Sequence, residues 1–346
     1  MRTIVGDILG KCRIVDIWEN KSISRFCGNE EDLPDRAWGI DSIKLFNDEK
    51  NACLLHNCGA ASFVDIENES RTKILKFDDV KNGLIVDFQN DKFISGFDKK
   101  CITFNEDKII GEFETIENPS CASIYQNKIA YGHLSDRTTI FDINEGKKMW
   151  VASEPPFDEL KIQLDDNDRS ILMYDDNVLI VGQNDSFILV YDIRQGNEAI
   201  IRTKVFNEFP IVAMSKLPNN NIVFGDTVGS LTIMELNALE KHIKGVKGFY
   251  GPPAGVLSIS PHPTLPYFSV LSCDRVVRTY DYTKNSLQPF KTTFVRTLSN
   301  AIVMLNDEPP VPEDPSEDEW ADLQEGGSDI WSNYVPCPQS KKNIKE

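Results

Sequence analysis

The sequence lacks the long apolar run that a membrane-spanning helix requires. No stretch approaches the ~18 apolar residues of a span, and Met1 to Asp7 contain no apolar core of a signal peptide. The eight cysteines include no CxxC pair, and the group Cys53, His56 and Cys58 has neither the spacing nor the ligand number of structural zinc. We therefore expect a soluble intracellular protein with buried free thiols, no metal and no membrane contact.

Signatures of catalysis are missing as well. The four histidines have no neighbouring nucleophile pattern, and the chain contains neither a GxSxG elbow nor a GxxxxGK[ST] phosphate loop. Paired carboxylates are frequent, but in the loops of an acidic chain they indicate only solvated surface. We therefore expect no enzyme activity and no cofactor.

Positive charge is scarce. The chain has 37 Lys and Arg against 54 Asp and Glu, which gives a formal net charge of −17. Residues 307–346 hold eleven acids and three lysines and contribute −8, which leaves −9 on the rest of the chain. Such a charge excludes general nucleic-acid binding. Any RNA contact would need a local basic patch, assisted by a protein partner.

The clearest structural unit lies towards the C-terminus. Apolar stretches at 256–259 and 267–271 predict two strands, and an alternating stretch at 276–282 predicts a third. The turn before the third strand contains Asp274, seven residues ahead of Asp281 in the closing pair Tyr280-Asp281. This order, with an Asp that braces the turn and an aromatic-Asp pair that ends the strand, is typical of a WD-repeat blade.

The unit recurs along the chain in degenerate form. Successive closing dipeptides are 49, 40, 37, 50, 43 and 46 residues apart, close to the period of about 40–45 residues of WD repeats. A bracing Asp is in register at Asp98, Asp185 and Asp274. No repeat has the Trp of the name or a clear Gly-His pair, so we expect stability to depend mostly on apolar strand packing. The dipeptides are Val15-Asp16, Val64-Asp65, Phe104-Asn105, Phe141-Asp142, Tyr191-Asp192, Met234-Glu235 and Tyr280-Asp281.

The first repeat lacks a leading strand, and a surplus strand lies at the other end of the chain. Three strands are predicted within the first 26 residues, whereas the apolar stretch 300–305 follows a seventh unit that is already complete. Pairing the two ends removes both sheet edges and satisfies their backbone groups. The sequence therefore predicts an all-β, seven-bladed WD-repeat β-propeller over 1–306, closed by strands from both termini, with a disordered acidic tail at 307–346.

Candidate contacts with protein partners or RNA lie in segments that should share one face: the turns between second and third strands, and the links between blades. The link within 150–174 combines the stiff Pro155-Pro156 with apolar residues that should be exposed, and the link predicted at 242–255 sets lysines and a tyrosine between glycines. The alternatives are solvated turns, or links that pack back on their own blades. The candidates are Lys99, Lys100, Arg137, Phe157, Asp158, Leu160, Lys244, Lys247, Tyr250 and Arg275.

The acidic tail contains one feature beyond its charge. Residues 316–319 fit a capping box that opens a short helix, with Trp320 and Leu323 on one side of it. We predict a docking motif at 316–325. The alternative is that the tail only solvates the protein.

Longer segments carry a family resemblance. They are IVGDILGKCRIVDI near the start, the link MWVASEPPFDELKIQL, the stretch from VYDIRQGNEAII to GDTVGSLTIMEL, the stretch from KGVKGFYGPPAG to VVRTYDY, and EDEWADLQE in the tail. In this order they resemble the nucleolar WD-repeat assembly factors of the large ribosomal subunit. The resemblance implies a non-catalytic protein of the nucleolus and nucleus that binds precursor particles, touching assembly proteins and pre-rRNA. It also implies removal by an AAA-type ATPase and a link to the helicase of the nuclear RNA exosome.

The chain departs from that family in two places, and two other functions are compatible with parts of the sequence. The chain has Ala152-Ser153-Glu154 where the family carries lysine and asparagine, and only a short basic end, 341–345, in place of a long basic extension. A substrate adaptor of a ubiquitin ligase or chromatin complex would use the same fold. A propeller hydrolase would need inward-facing acids with a metal or a histidine. We expect a scaffold that acts as a monomer within a larger complex.

Overall fold

The computed structural model describes residues 1–26, 38–155, 167–206, 208–237 and 242–307. In this part of the chain the regular structure is entirely β, with 28 strands in seven four-stranded antiparallel sheets. Within the same ranges no helix is long and apolar enough to span a membrane. The propeller belongs to a compact unit, Met1–Glu308. Apart from Asp307, the predicted tail lies outside the described residues.

The strands follow each other blade by blade. Blade I has β1 (Arg2–Asp7), β2 (Cys12–Asp16) and β3 (Lys21–Phe26). Blade II has β4 (Ile40–Phe46), β5 (Asn51–His56), β6 (Ala60–Asp65) and β7 (Ser70–Lys76). Blade III has β8 (Ile85–Gln89), β9 (Lys92–Gly96), β10 (Lys100–Phe104) and β11 (Ile109–Glu114). Blade IV has β12 (Cys121–Tyr125), β13 (Lys128–Gly132), β14 (Thr139–Asp142) and β15 (Lys147–Val151).

The second half repeats this arrangement and returns to the first blade. Blade V has β16 (Asp168–Met173), β17 (Val178–Gln183), β18 (Phe187–Asp192) and β19 (Ile201–Lys204). Blade VI has β20 (Ile211–Lys216), β21 (Ile222–Asp226), β22 (Leu231–Asn237) and β23 (His242–Phe249). Blade VII has β24 (Val256–Pro261), β25 (Tyr267–Ser272), β26 (Val276–Asp281) and β27 (Lys291–Phe294). Strand β28 (Ser299–Met304) completes blade I.

Closure by both termini is confirmed. Strand β28 is the first strand of blade I and pairs antiparallel with β1, from Thr3 opposite Met304 to Gly6 opposite Ala301. The chain therefore supplies the missing leading strand of its first blade from its far end. The pairing covers the edge of β1 and gives blade I the same four-stranded order as the other blades.

Apolar packing between neighbouring blades forms the core, as the sequence predicted. The interior between blades II and III is built largely from phenylalanine: Phe93 and Phe104 stack at 5.4 Å, and Phe63 meets Phe93 edge-on at 5.2 Å. In blade VII the rings of Phe268 and Tyr280 stack at 5.2 Å. Truncating a buried ring of this kind to alanine typically costs about 3–5 kcal/mol.

The Asp of the closing dipeptide has a structural role in the turn that follows it. Asp16 Oδ1 accepts the Trp18 amide hydrogen over 2.8 Å, and Asp142 Oδ1 accepts that of Asn144 over 2.8 Å. Such side-chain bonds hold the tight turn between the third and fourth strands. Blade VI has Glu235 at this position, and there the hairpin continues until Asn237 pairs with His242.

Polar bracing is more extensive than the sequence predicted. His56 Nδ1 lies 2.9 Å from the Trp38 carbonyl oxygen, and its Nε2 lies 2.7 Å from Ser62 Oγ. Burial lowers the pKa of His56 to about 4, so near neutral pH the ring donates to the carbonyl and accepts from the serine. Asp274 braces its turn as predicted, accepting from the Val276 amide over 3.2 Å. Asp98 instead accepts the Lys81 amide hydrogen of the neighbouring link over 3.0 Å.

The outer edges of the blades are protected in two ways. In blades I, II, III, IV and VI the pairing of the third and fourth strands contains a register shift. In blades V and VII no shift occurs, but the fourth strands, β19 and β27, have only four residues each. Bulged or short edge strands are poor templates for pairing with another chain.

Candidate interaction face

One end of the blades, here called the turn face, carries the connections that the sequence placed together. Because the strands are antiparallel, the turn from second to third strand lies at the same end as the link from a fourth strand to the next blade. The described turns are 8–11, 57–59, 97–99, 133–138, 184–186, 227–230 and 273–275, and the described parts of the links include 77–84, 115–120, 152–155, 250–255 and 295–298.

Several candidates lie on the turn face, in different blades. Lys99 in blade III, Arg137 in blade IV and Arg275 in blade VII are exposed in these turns. Lys100 begins β10, is half-buried and contacts Glu112 at 3.3 Å. Tyr250 follows β23 and is 60% exposed. The structure therefore brings Lys99 and Lys100 together, with Arg137 one blade away, and sets Arg275 apart in blade VII.

The prediction of a link between blades at 242–255 is wrong for the first half of that range. Residues 242–249 form β23, the outermost strand of blade VI, so Lys244 and Lys247 lie on the outer edge of the propeller. Lys247 Nζ sits 4.8 Å from the centre of the Phe249 ring and donates to the Lys284 carbonyl oxygen. A Cβ added at Gly245 would meet nothing within 4 Å, and one at Gly248 would meet the Leu231 carbonyl oxygen at 3.9 Å. An outer strand has one uncovered side, and a glycine-rich sequence there resembles a loop.

The remaining candidates lie outside the described residues. They are Phe157, Asp158 and Leu160 in the link between blades IV and V, and Trp320 and Leu323 in the tail. Their roles stay predictions.

Lys99 and Lys100 do not form a basic patch. They line a cleft of about 960 Å³ between blades II and III, together with one further lysine, Lys81. Carboxylates outnumber the lysines there and oppose the binding of a phosphate backbone. The acids that line the cleft are Asp78, Asp79, Asp98, Glu114 and Glu117.

Sequence reasoning named Arg275 but missed the group of exposed side chains to which it belongs, beside the closure of the ring. This seam patch contains apolar residues that are between 36% and 53% exposed, and two arginines. Direct contacts connect it: the Ile8 amide donates to the Leu298 carbonyl oxygen over 3.1 Å, and Arg275 Nη1 donates to the Arg296 carbonyl oxygen over 3.4 Å. The feature of the sequence that could have revealed this patch is the presence of large apolar residues within a turn. The patch consists of Ile8, Leu9, Arg275, Phe294, Arg296 and Leu298.

The inner strands carry carboxylates that contact the next blade. Asp41 on β4 accepts a hydrogen bond from Asn300 on β28 over 3.2 Å, and burial raises the pKa of Asp41 to about 6. Asp87 on β8 forms an ion pair with Lys44 on β4 at 2.5 Å. Across the described ranges, no three His, Cys, Asp or Glu side chains are grouped so that they could hold a metal ion. These inner acids join blades to one another.

Comparisons with known proteins support the fold. Neither the models of protein families nor the curated proteins give a match. Among solved structures, the chain is similar to the crystal structure of Chaetomium thermophilum Raptor, with a TM-score of 0.60 and 12% identity, over 73% of this chain and 24% of that one. The chain thus spans about a quarter of the length of Raptor. At this identity the likeness shows the WD-type β-propeller fold alone.

Proposed function

We propose that the protein is a non-catalytic propeller scaffold in the nucleolar assembly of the large ribosomal subunit, which takes part in pre-rRNA processing. It binds precursor particles through assembly proteins and pre-rRNA and is released by an AAA-type ATPase. The scaffold role is supported by the closed ring, in which β28 and β1 join the two ends and turns project from every blade. The ribosomal role rests on the family resemblance of five segments taken in order.

Protein contacts should dominate over RNA contacts on the described part of the turn face. Acids surround Lys99 and Lys100, and the seam patch is largely apolar. Arg137, exposed in the turn of blade IV beside Asp136, is the remaining basic candidate on this face. We therefore assign particle binding mainly to assembly proteins, with pre-rRNA touched locally.

A substrate adaptor of a chromatin or ubiquitin-ligase complex is the second candidate. The cleft between blades II and III favours its chromatin form, because five carboxylates around three lysines suit a basic segment such as a histone tail. The two candidates differ in what binds to the chain in cells.

Affinity purification of the tagged full-length chain distinguishes them. We expect large-subunit precursor RNA in the sedimenting fraction, together with assembly proteins, and more of the chain on particles when ATP hydrolysis is blocked. Recovery of histones or of cullin-linker proteins without precursor RNA would refute the ribosomal proposal.

A further inference from the structure

Hydrogen bonds to a buried carboxylate fix one turn of the seam patch. The buried Asp7 carboxylate accepts the amide hydrogens of Leu9 over 2.9 Å and Lys11 over 2.8 Å, which fixes the turn that presents Ile8 and Leu9. Gly10 has φ +75°, and a Cβ there would lie 2.6 Å from the Trp38 carbonyl oxygen, so the turn has little freedom. A preorganised surface loses less entropy when it binds a partner.

The two arginines of the patch can still pair with carboxylates of a partner. Asp274, the nearest carboxylate in the same turn, is already paired with Arg278 through contacts of 2.6 and 3.1 Å. Arg275 instead lies 5.6 Å from the centre of the Phe294 ring. In the part of the chain that the structure describes, neither Arg275 nor Arg296 forms an ion pair with a carboxylate. Both have positive φ, 65° and 66°, a conformation that is uncommon for residues other than glycine.

The composition of the patch specifies its partner. Exposed apolar side chains of this size, grouped with arginine, are characteristic of protein interfaces. The aliphatic side chains of Ile8, Leu9 and Leu298 offer no ring on which a base could stack, and Arg275 already lies over the one ring of the patch, that of Phe294. Two cations also match a segment with a few carboxylates better than they match a nucleic acid with one charge on every nucleotide.

We propose that the seam patch binds an acidic polypeptide segment of another protein, with a large apolar side chain seated among Ile8, Leu9 and Leu298 and its carboxylates on Arg275 and Arg296. This inference goes beyond the scaffold role. It depends on the propeller alone and holds whether or not the particle is ribosomal.

Peptide selection followed by mutagenesis tests the proposal. A phage library of random dodecapeptides is selected on the full-length chain, and binding of the enriched peptides is measured by fluorescence anisotropy. We expect enrichment of peptides that combine Asp or Glu with Leu, Phe or Trp. The double variant Arg275→Glu/Arg296→Glu should weaken their binding by about tenfold or more. Leu298→Ser should weaken it as well.

The matched control is Lys92→Glu/Lys108→Glu, which makes the same change of charge at two exposed lysines at the other end of blade III. It should leave peptide binding unchanged, and all variants should keep the melting temperature of the wild type. The proposal is overturned if no acidic-apolar peptides are enriched, or if the arginine variant binds them as the wild type does. Binding of polyuridine RNA that depends on the arginines but not on Leu298 would also overturn it. The proposal is also overturned if acidic-apolar peptides are enriched only on a chain that lacks 308–346, because the tail of the chain itself would then occupy the seam patch.

Discussion

Arg2 and Asp307 lie 305 positions apart in the sequence and form a bidentate ion pair across the closure of the ring. Arg2 Nε lies 2.7 Å from Asp307 Oδ2, and Nη2 lies 2.9 Å from Oδ1. The Arg2 backbone amide also donates to Oδ2 over 3.0 Å. The Arg2 guanidinium lowers the pKa of the Asp307 carboxyl through this bonding.

Asp307→Asn should therefore weaken the propeller in a pH-dependent way. The pair is partly exposed, so we expect a loss of about 1 kcal/mol in the free energy of unfolding at neutral pH. Because the pKa of Asp307 is lower in the folded state, its contribution is present above the unfolded pKa of about 4 and disappears as the pH falls below it. Urea denaturation of variant and wild type at pH 7 and pH 3 measures this. Glu19→Gln, which breaks the exposed pair of Glu19 with Lys21, should change little. An equal difference at both pH values would contradict the prediction.

Truncation tests the closure itself. Removing 300–306 should expose the edge of β1 and leave the first blade incomplete, so that the protein aggregates. Ending the chain after Asp307 keeps β28 and the pair with Arg2, and should leave the melting temperature nearly unchanged. Light scattering and thermal melting measure both outcomes. A soluble, cooperatively folded 1–299 fragment would contradict this account of closure.

His56 should make the protein less stable in mild acid. Its pKa is about 4 in the folded state because the ring is buried, against about 6.5 when unfolded. The unfolded chain therefore binds the proton more readily, and stability falls as the pH drops from about 6.5 to about 4, by about 3 kcal/mol. His56→Gln should lower stability at pH 7 and remove this part of the acid dependence in denaturation curves.

Asp41 should change the stability of the protein with pH in the direction opposite to His56, and it therefore serves as a control. Burial raises the pKa of Asp41 to about 6, so the folded state holds its proton more readily and stability falls as the pH rises from about 4 to about 6. Asp41→Asn should therefore make the acid-induced loss of stability steeper than in the wild type. The same slope in the wild type and in both variants would refute these assignments.

Charge reversals separate the turn face from the outer edge. Lys99→Glu/Arg137→Glu should reduce association with particles without lowering the melting temperature, because both residues are exposed on the turn face. Lys244→Glu/Lys247→Glu makes the same change of charge on β23 and should reduce association less. Co-sedimentation with precursor particles measures both. A stronger effect of the β23 variant would place the particle contacts on the outer edge.

The architecture was predictable because it depends on local patterns repeated seven times. Alternating apolar residues and the closing dipeptides mark the inner strands, which are packed on both sides. The surplus stretch at 300–305 indicated closure because an unpaired apolar strand is costly. The outer strand β23 was missed because Gly245 and Gly248 have no side chain that could pack, and the space beside them is largely open. Without packing partners, an edge strand leaves little trace in the sequence.

The binding features were less predictable because they depend on residues from different blades. His56 braces blade II through Trp38, which is 18 positions away. The lysines at 99 and 100 resemble a basic site until the fold sets Asp78 and Glu117 beside them. The seam patch joins residues from both ends of the chain, Ile8 and Leu298. Residues that become neighbours only in the folded structure do not lie at a fixed spacing in the sequence, so a sequence pattern does not reveal them.

The tail offers the most direct test of how the protein is released from precursor particles. Residues 310–328 contain Trp320 and Leu323 at helical spacing within an acidic sequence. Acids in the first turn of a short helix stabilise it through the helix dipole, and the two apolar side chains would fill a slot in a partner. We propose that this partner is the AAA-type ATPase, or the exosome helicase, and that it offers a basic groove. A peptide of 310–328 should bind one of these partners, and Trp320→Ala and Leu323→Ala should each weaken binding by about tenfold. Ala321→Ser is the matched control and should bind as the wild type does. If both alanine variants bind and support release from particles as well as the wild type, the tail only solvates the protein.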